Sequence, residues 1–166
     1  MPISTLLLPE FEQEMKATRM TLERVPKKAD FAPHPKSMPM GKLAAHIAQL
    51  TGFGLTILTT PELDFSKTSI TPVVFESAEQ LVKELDAGAA KVRSALGGMP
   101  DSAWTEHWKL SFQGKSIFAG ERFLAYREMF MNHLVHHRAQ LGVYLRLNDV
   151  PVPATYGPSA DDRMGF

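Results

Sequence analysis

"NHLVHHRAQLGVYL", Asn132 to Leu145, holds three of the chain's six histidines within five residues. Leu134, Leu141 and Leu145 give the stretch helical spacing, and the apolar pattern extends it to a helix from about Gly120 to Arg146. At about 100° per residue, His133 and His137 stand about 40° apart on one face. Tyr126, Phe130 and Tyr144 point the same way, with Leu141 at the margin, so that face looks inward. His136 points about 100° away from His137, toward the flank. Two imidazoles buried one turn apart without a partner are costly. The same spacing lets two side chains of one helix reach a common ion.

Three further helices read outward from this one. The first spans about Leu6 to Val25, with Leu8, Phe11, Met15, Leu22 and Val25 near one face and Glu10, Glu14, Lys16 and Arg24 at polar positions. The second runs from about Met38 to Thr59, with Ser37 as cap and Pro39 in its first turn. The third follows "SAEQ", Ser77 to Gln80, a capping-box spacing, and ends near Leu96 before Gly97, Gly98 and Pro100. Residues 60–74 read as a loop. In "EHWKLSFQGKSIF", Glu106 to Phe118, Trp108, Leu110 and Phe112 alternate with polar residues around Gly114, which predicts a short β-hairpin. The predicted fold class is all-α, a four-helix bundle in one domain over residues 1–166, with a hairpin before the last helix. The long 60–74 linker leaves the order of the helices open.

The second helix carries His46 on the stripe of Leu43, Ile47, Leu50, Phe53 and Ile57. Bundle cores bring inward positions together, so His46, His133 and His137 are the candidate metal ligands. Three imidazoles with open water positions are the pattern of a catalytic zinc site, and nickel, manganese or iron accept the same donors. Glu-x-x-His pairs, His-Glu-x-x-His, Gly-x-Ser-x-Gly, phosphate loops and dinucleotide fingerprints are missing. No acid or base stands out: Glu128 faces elsewhere, Gln140 is a flank residue able to orient a ligand, and Arg138 reads as a surface or inter-helix cation. Tyr126 and Tyr144 read as core with wet hydroxyls. His34 and His107 fall in loop or hairpin settings. Tyr156 to Asp162 is a lid, a surface cap or a dimer contact.

Lys plus Arg and Asp plus Glu are 18 each. That balance speaks against nucleic acid and against a polybasic membrane patch. With no cysteine, disulfides and thiolate ligands are excluded, and a thiol nucleophile has to arrive with a cofactor. The N-terminal stretch lacks the marks of a signal peptide, and the most apolar run, Leu43 to Leu58, is interrupted by His46, Gln49 and Thr51. The expectation is a cytoplasmic protein.

"PHPKSMPMGKLAAHIAQL" (Pro33 to Leu50), "NHLVHHRAQLGVYLRLNDVPVP" (Asn132 to Pro153) and "ATYGPSADD" (Ala154 to Asp162) resemble the DinB/YfiT-like superfamily of metal-dependent proteins, and the opening helix is similar too. The resemblance implies an up-down-down-up bundle, often dimeric. It implies a divalent ion, usually zinc or nickel, held by His46, His133 and His137. It also implies hydrolysis, or transfer and isomerisation chemistry that uses a low-molecular-weight thiol on a small-molecule substrate. A module in which the ion only pins two helices together is the competing class.

Overall fold

The computed structural model describes residues 1–164. Leu7, Phe11, Met15 and Leu22 recur at helical spacing, and α1, Ile3–Leu22, buries all four. Its N-terminus has no side-chain cap of its own; the Ile3 amide instead donates to Asp101 Oδ1 at 2.8 Å. The second helix, α2, Met40–Thr59, begins after Pro39 rather than at Met38, and Ser37 does not cap it. Backbone carbonyls from the preceding loop satisfy the first amides: Met40 N–H donates to Phe31 O and Gly41 N–H to Ala29 O, both at 2.8 Å. In α3, Ala78–Gly97, Ser77 Oγ accepts from Gln80 N–H at 3.1 Å. The reciprocal half of the capping box is missing, because the buried Gln80 Oε1 has no protein partner.

The last helix, α4, begins at Arg122 and not at Gly120, which lies in a strand. It opens with Arg122–Leu124, widens into a π-helical stretch over Ala125–Asn132 and tightens again at His133–Leu147, with right-handed helical dihedrals at each junction. No side chain caps its start; Arg122 N–H donates to Glu106 O at 2.8 Å. The buried Arg122 guanidinium then gathers the carbonyls of Ile57, Thr60 and Ala103, tying the end of α2 to the segment before the sheet. A cation suits the Ile57 and Thr60 carbonyls because a helix C-terminus leaves its last carbonyls without amide partners; the Ala103 carbonyl also accepts from Glu106 N–H.

Paired contacts fix how the helices run. Glu12 meets Arg93 and Arg19 meets Asp86, so α1 and α3 are antiparallel. Glu10 meets Arg127 and Glu14 meets Arg138, so α1 and α4 run the same way. His46 meets His133 while Ile57 O meets Arg122, so α2 opposes α4. Thus α1 and α4 point one way, α2 and α3 the other.

Against this bundle lies a sheet that corrects the expected lone hairpin. Within the 60–74 segment, Glu62–Asp64 forms β1, which pairs in parallel with β2, His107–Phe112, and β2 pairs antiparallel with β3, Lys115–Glu121. The loop expectation failed there because three residues of strand leave almost no alternation to read. The β2–β3 turn is Gln113–Gly114, both with positive φ, 49° and 73°; a two-residue hairpin demands that conformation. The register shifts between Leu110 and Ser111, leaving Ile117 as the extra residue of a bulge. Phe112 lies beyond it at the turn and stays exposed.

Candidate metal centre

His46 leaves the buried stripe of α2 beside Ile47 and Leu50 and is itself only half-buried. His133 is the first residue after the π-helical stretch of α4, and His137 follows one turn later. The three rings converge. His46 Nε2 lies 3.3 Å from His133 Nε2, and His137 Nε2 lies 2.8 Å from the same atom. The candidate ligand atoms of all three sit within 4.8 Å of one another. Neighbouring nitrogens around a tetrahedral zinc with bonds of about 2.1 Å are about 3.4 Å apart. One observed spacing matches that value, one is shorter and all lie within 4.8 Å, so the trio could hold one metal ion.

The far sides of the rings sharpen the fit. His137 Nδ1 is 2.7 Å from Gln140 Oε1, and His133 Nδ1 is 3.3 Å from the Met129 carbonyl. Both partners are acceptors, so each Nδ1 carries the proton and each Nε2 presents a lone pair. Two lone pairs face each other at 2.8 Å, an arrangement that a shared cation relieves. Burial, then the neighbouring His137 and His133, pull the His46 pKa down to about 4. Burial and His137 also lower His133. Uncharged imidazoles are the metal-binding form.

A cavity of about 640 Å³ adjoins the trio, and His46 and His133 stand in its wall. The rest of the lining comes from α2, from the strap of residues 65–71, from β1 to β3 and from Met129. Gln49, one turn beyond His46, pins the strap: its Nε2 donates to Thr71 O at 2.9 Å and its Oε1 accepts from Val73 N–H at 3.2 Å.

His136 is exposed and outside the trio, as its place on the wheel requires. His34 and His107 are exposed and outside it as well. Tyr126 is fully buried, and its hydroxyl has no protein partner. Of the two readings of Arg138, the structure bears out the inter-helix cation, joining the last helix to α1, and not the surface one. Arg138 is 4% exposed, 2.6 Å from Glu14 Oε2, and donates to Tyr156 Oη. Glu14, which its residue type put among the polar positions, is buried with it at 7%. The Tyr156 hydroxyl donates to Glu14, so residues 152–162 cap α1 and α4, and none of them lines the cavity. That removes the lid reading of the tail.

Sequence reasoning missed the cavity walls, Gln49 and the Met129 carbonyl. Gln49 had a signal, sitting three residues after His46 on the same side of α2. The strap and Ile117 had none, since a bulge and an irregular loop carry no periodicity.

No helix among the described residues is long and apolar enough to cross a membrane. No curated protein matches the chain. Among solved structures, a DinB-like protein from Bacillus cereus superposes with a TM-score of 0.66 at 19% identity, over 90% of this chain and 95% of that one. A DinB-like protein of Bacillus subtilis, YjoA, gives 0.64 at 17% identity, over 96% and 99%. At such identities the likeness speaks for the fold. The sequence model of the DinB superfamily matches residues 10–141, most of the chain. The chain therefore belongs to the DinB superfamily.

Proposed function

We propose that this protein is an enzyme that binds one divalent ion through His46, His133 and His137 and acts on small molecules in the adjoining cavity. Zinc or nickel is the expected ion, with manganese and iron as substitutes that nitrogen donors accept. The observation that carries the reading is the cavity of about 640 Å³ with two of the three histidines in its wall. An ion that only pinned α2 to α4 would need no such space. Three protein donors leave coordination positions open, and a bound ion of this kind acidifies a water or thiol and polarises a carbonyl.

Between hydrolysis and thiol transfer, the lining favours transfer. No carboxylate stands among the described residues around the cavity to act as base toward a water. A thiol starts from an ordinary pKa near 8.5, far below that of water, so it needs less help from the ion to ionise without a base. In that reaction the thiolate sulfur forms a bond to an electrophilic carbon, the leaving group departs with its electron pair, and the thiol proton passes to solvent. His137, held by Gln140, and His133, held by the Met129 carbonyl, keep the donor set aimed.

The test is metal reconstitution followed by turnover. Wild type loaded with zinc or nickel should hold about one ion per chain by elemental analysis. His46→Ala and His133→Ala should lose it, and His136→Ala should keep it. Absence of stoichiometric ion in wild type sinks the metal reading. An electrophile panel with cysteine, glutathione, bacillithiol and mycothiol should then give thiol-dependent turnover. Hydrolysis without thiol would select the other branch, and an ion-loaded protein inert to both would leave the structural module.

A further inference from the structure

The cavity beside the three histidines is uncharged throughout. Among the described residues, no Asp, Glu, Lys or Arg lines it. Its body is aliphatic and aromatic. Leu63 on β1 and Leu110 on β2, paired in register, supply one wall. Phe53 and Phe65 stack at 6.5 Å between ring centroids, with an interplanar angle of 23°, at another. Met129 continues this surface toward His133.

The polar groups present are neutral: the hydroxyls of Thr68, Ser69 and Thr71 stand on the exposed strap, and the side chains of Gln49 and Thr56 on α2 are engaged. Both ends of the Gln49 amide hold the strap, and Thr56 Oγ1 donates to the Gly52 carbonyl at 3.0 Å. Ile117 adds a separate observation. It is the extra residue of the β-bulge, a device that re-aims a side chain, and it lines the cavity. The sheet departs from regular pairing where an apolar group is delivered to the cavity.

A charged group held in the body of this space, away from the proposed ion, would lose its hydration and find no counter-charge, a desolvation cost that goes unrecovered. A neutral apolar body would lose only ordered water. The volume falls within the range of pockets that enclose a drug-sized ligand.

We infer that the substrate bound in this cavity is an uncharged molecule with an aromatic or branched aliphatic body and one polar group directed at the three histidines. This rests on the proposed metal-dependent reading and narrows it. The neutral electrophile occupies the cavity, while the charged portion of any thiol co-substrate stays outside.

The test uses hydroxamates, which share one metal-binding head and differ in body. Zinc-loaded wild type is titrated with benzohydroxamate, 4-carboxybenzohydroxamate and acetohydroxamate, and benzamide serves as the non-chelating probe. Benzohydroxamate is expected to bind at least about 10-fold tighter than either relative, the margin of one lost buried apolar group. Ile117 is 55% exposed, so Ile117→Lys is expected to fold. That variant should close or reverse the gap for the carboxylate probe. Equal binding of the three hydroxamates to wild type, or a preference for the carboxylate, overturns the inference while leaving the metal site intact. If wild type takes up no zinc, the metal reading fails separately, and benzamide then decides. Methyl chemical-shift changes at Ile117 and Met129 on adding benzamide uphold the apolar cavity as a binding site, and unmoved methyls reject it.

Discussion

Gln140 is exposed, yet its side-chain oxygen meets His137 Nδ1 at 2.7 Å. That contact fixes the tautomer that leaves Nε2 free and stops the ring from turning about its own axis. His137 depends on it more than His133 does, because His133 has the backbone carbonyl of Met129 and a backbone partner cannot rotate away. Gln140→Ala should weaken zinc binding by about 10-fold, at the low end of such outer-contact effects because water can replace an exposed acceptor. Gln140→Glu keeps an acceptor and should hold the affinity near wild type. Competition against a chromogenic chelator measures both. An alanine variant that binds zinc as well as wild type would strip Gln140 of this role.

The widened turn of α4 and two glycines of α2 work together at the scale of elements. A Cβ on Gly54 would sit 2.7 Å from the ring of Phe130, which is fully buried in the π-helical stretch. Gly54 thus lets α2 approach α4 closely, three residues before His133. Nothing stands within 4 Å of a Cβ on Gly52, on the same helix. Gly54→Ala should therefore cost about 1–3 kcal/mol through overpacking. Gly52→Ala should be neutral or gain up to about 1 kcal/mol from helix propensity. Urea unfolding of the two variants separates the effects, and equal stabilities would mean that the Gly54 contact is not a packing constraint. His133 and His137 were legible because both fall after the π-helical stretch, where 3.6 residues per turn holds. Within it, the wider turn carries more residues, so the regular wheel no longer fixes the angle between Tyr126 and the histidines, although Tyr126 is buried as expected.

Across the whole molecule, the tail docks on α1 through the Tyr156 hydroxyl and Glu14, and two carboxylates tie it to the end of α4 and to itself. Asp161 pairs with Arg146 and accepts from Val152 N–H at 2.8 Å. Asp162 accepts from Ala154 N–H at 3.2 Å. Arg146 and the Val152 amide hold the Asp161 carboxyl below the usual range, and the amides of Met164 and Ala154 do the same for Asp162. A carboxylate whose folded pKa is depressed stabilises the docked tail at pH above its unfolded value, about 4, and loses that contribution as pH falls through the folded value. Amide exchange at Val152 and Ala154, corrected for intrinsic rates, should show protection that is flat above about pH 5 and falls away below about pH 4. In Asp161→Asn with Asp162→Asn the dependence should flatten. An unchanged profile in the double variant would mean that the tail is held by other contacts.

The sequence by itself determined four helices, their inward faces and the three histidines, because periodicity is local and a helix wheel converts spacing into direction. It also disclosed the family, through short blocks around those histidines. Only the tertiary structure decided the partnership of Glu14 with Arg138 and Tyr156, the third strand, and the cavity. Each joins residues remote along the chain: 124 separate Glu14 from Arg138, and 142 separate it from Tyr156. Its hydropathy reads Glu14 as solvent-facing, although its angle on the helix lies about 20° from Leu7, because hydropathy does not know the guanidinium that neutralises it. The cavity is empty space between α2, α4, the strap and the sheet, and no single segment encodes it. Its uncharged character follows from which side chains those segments turn inward once they have packed.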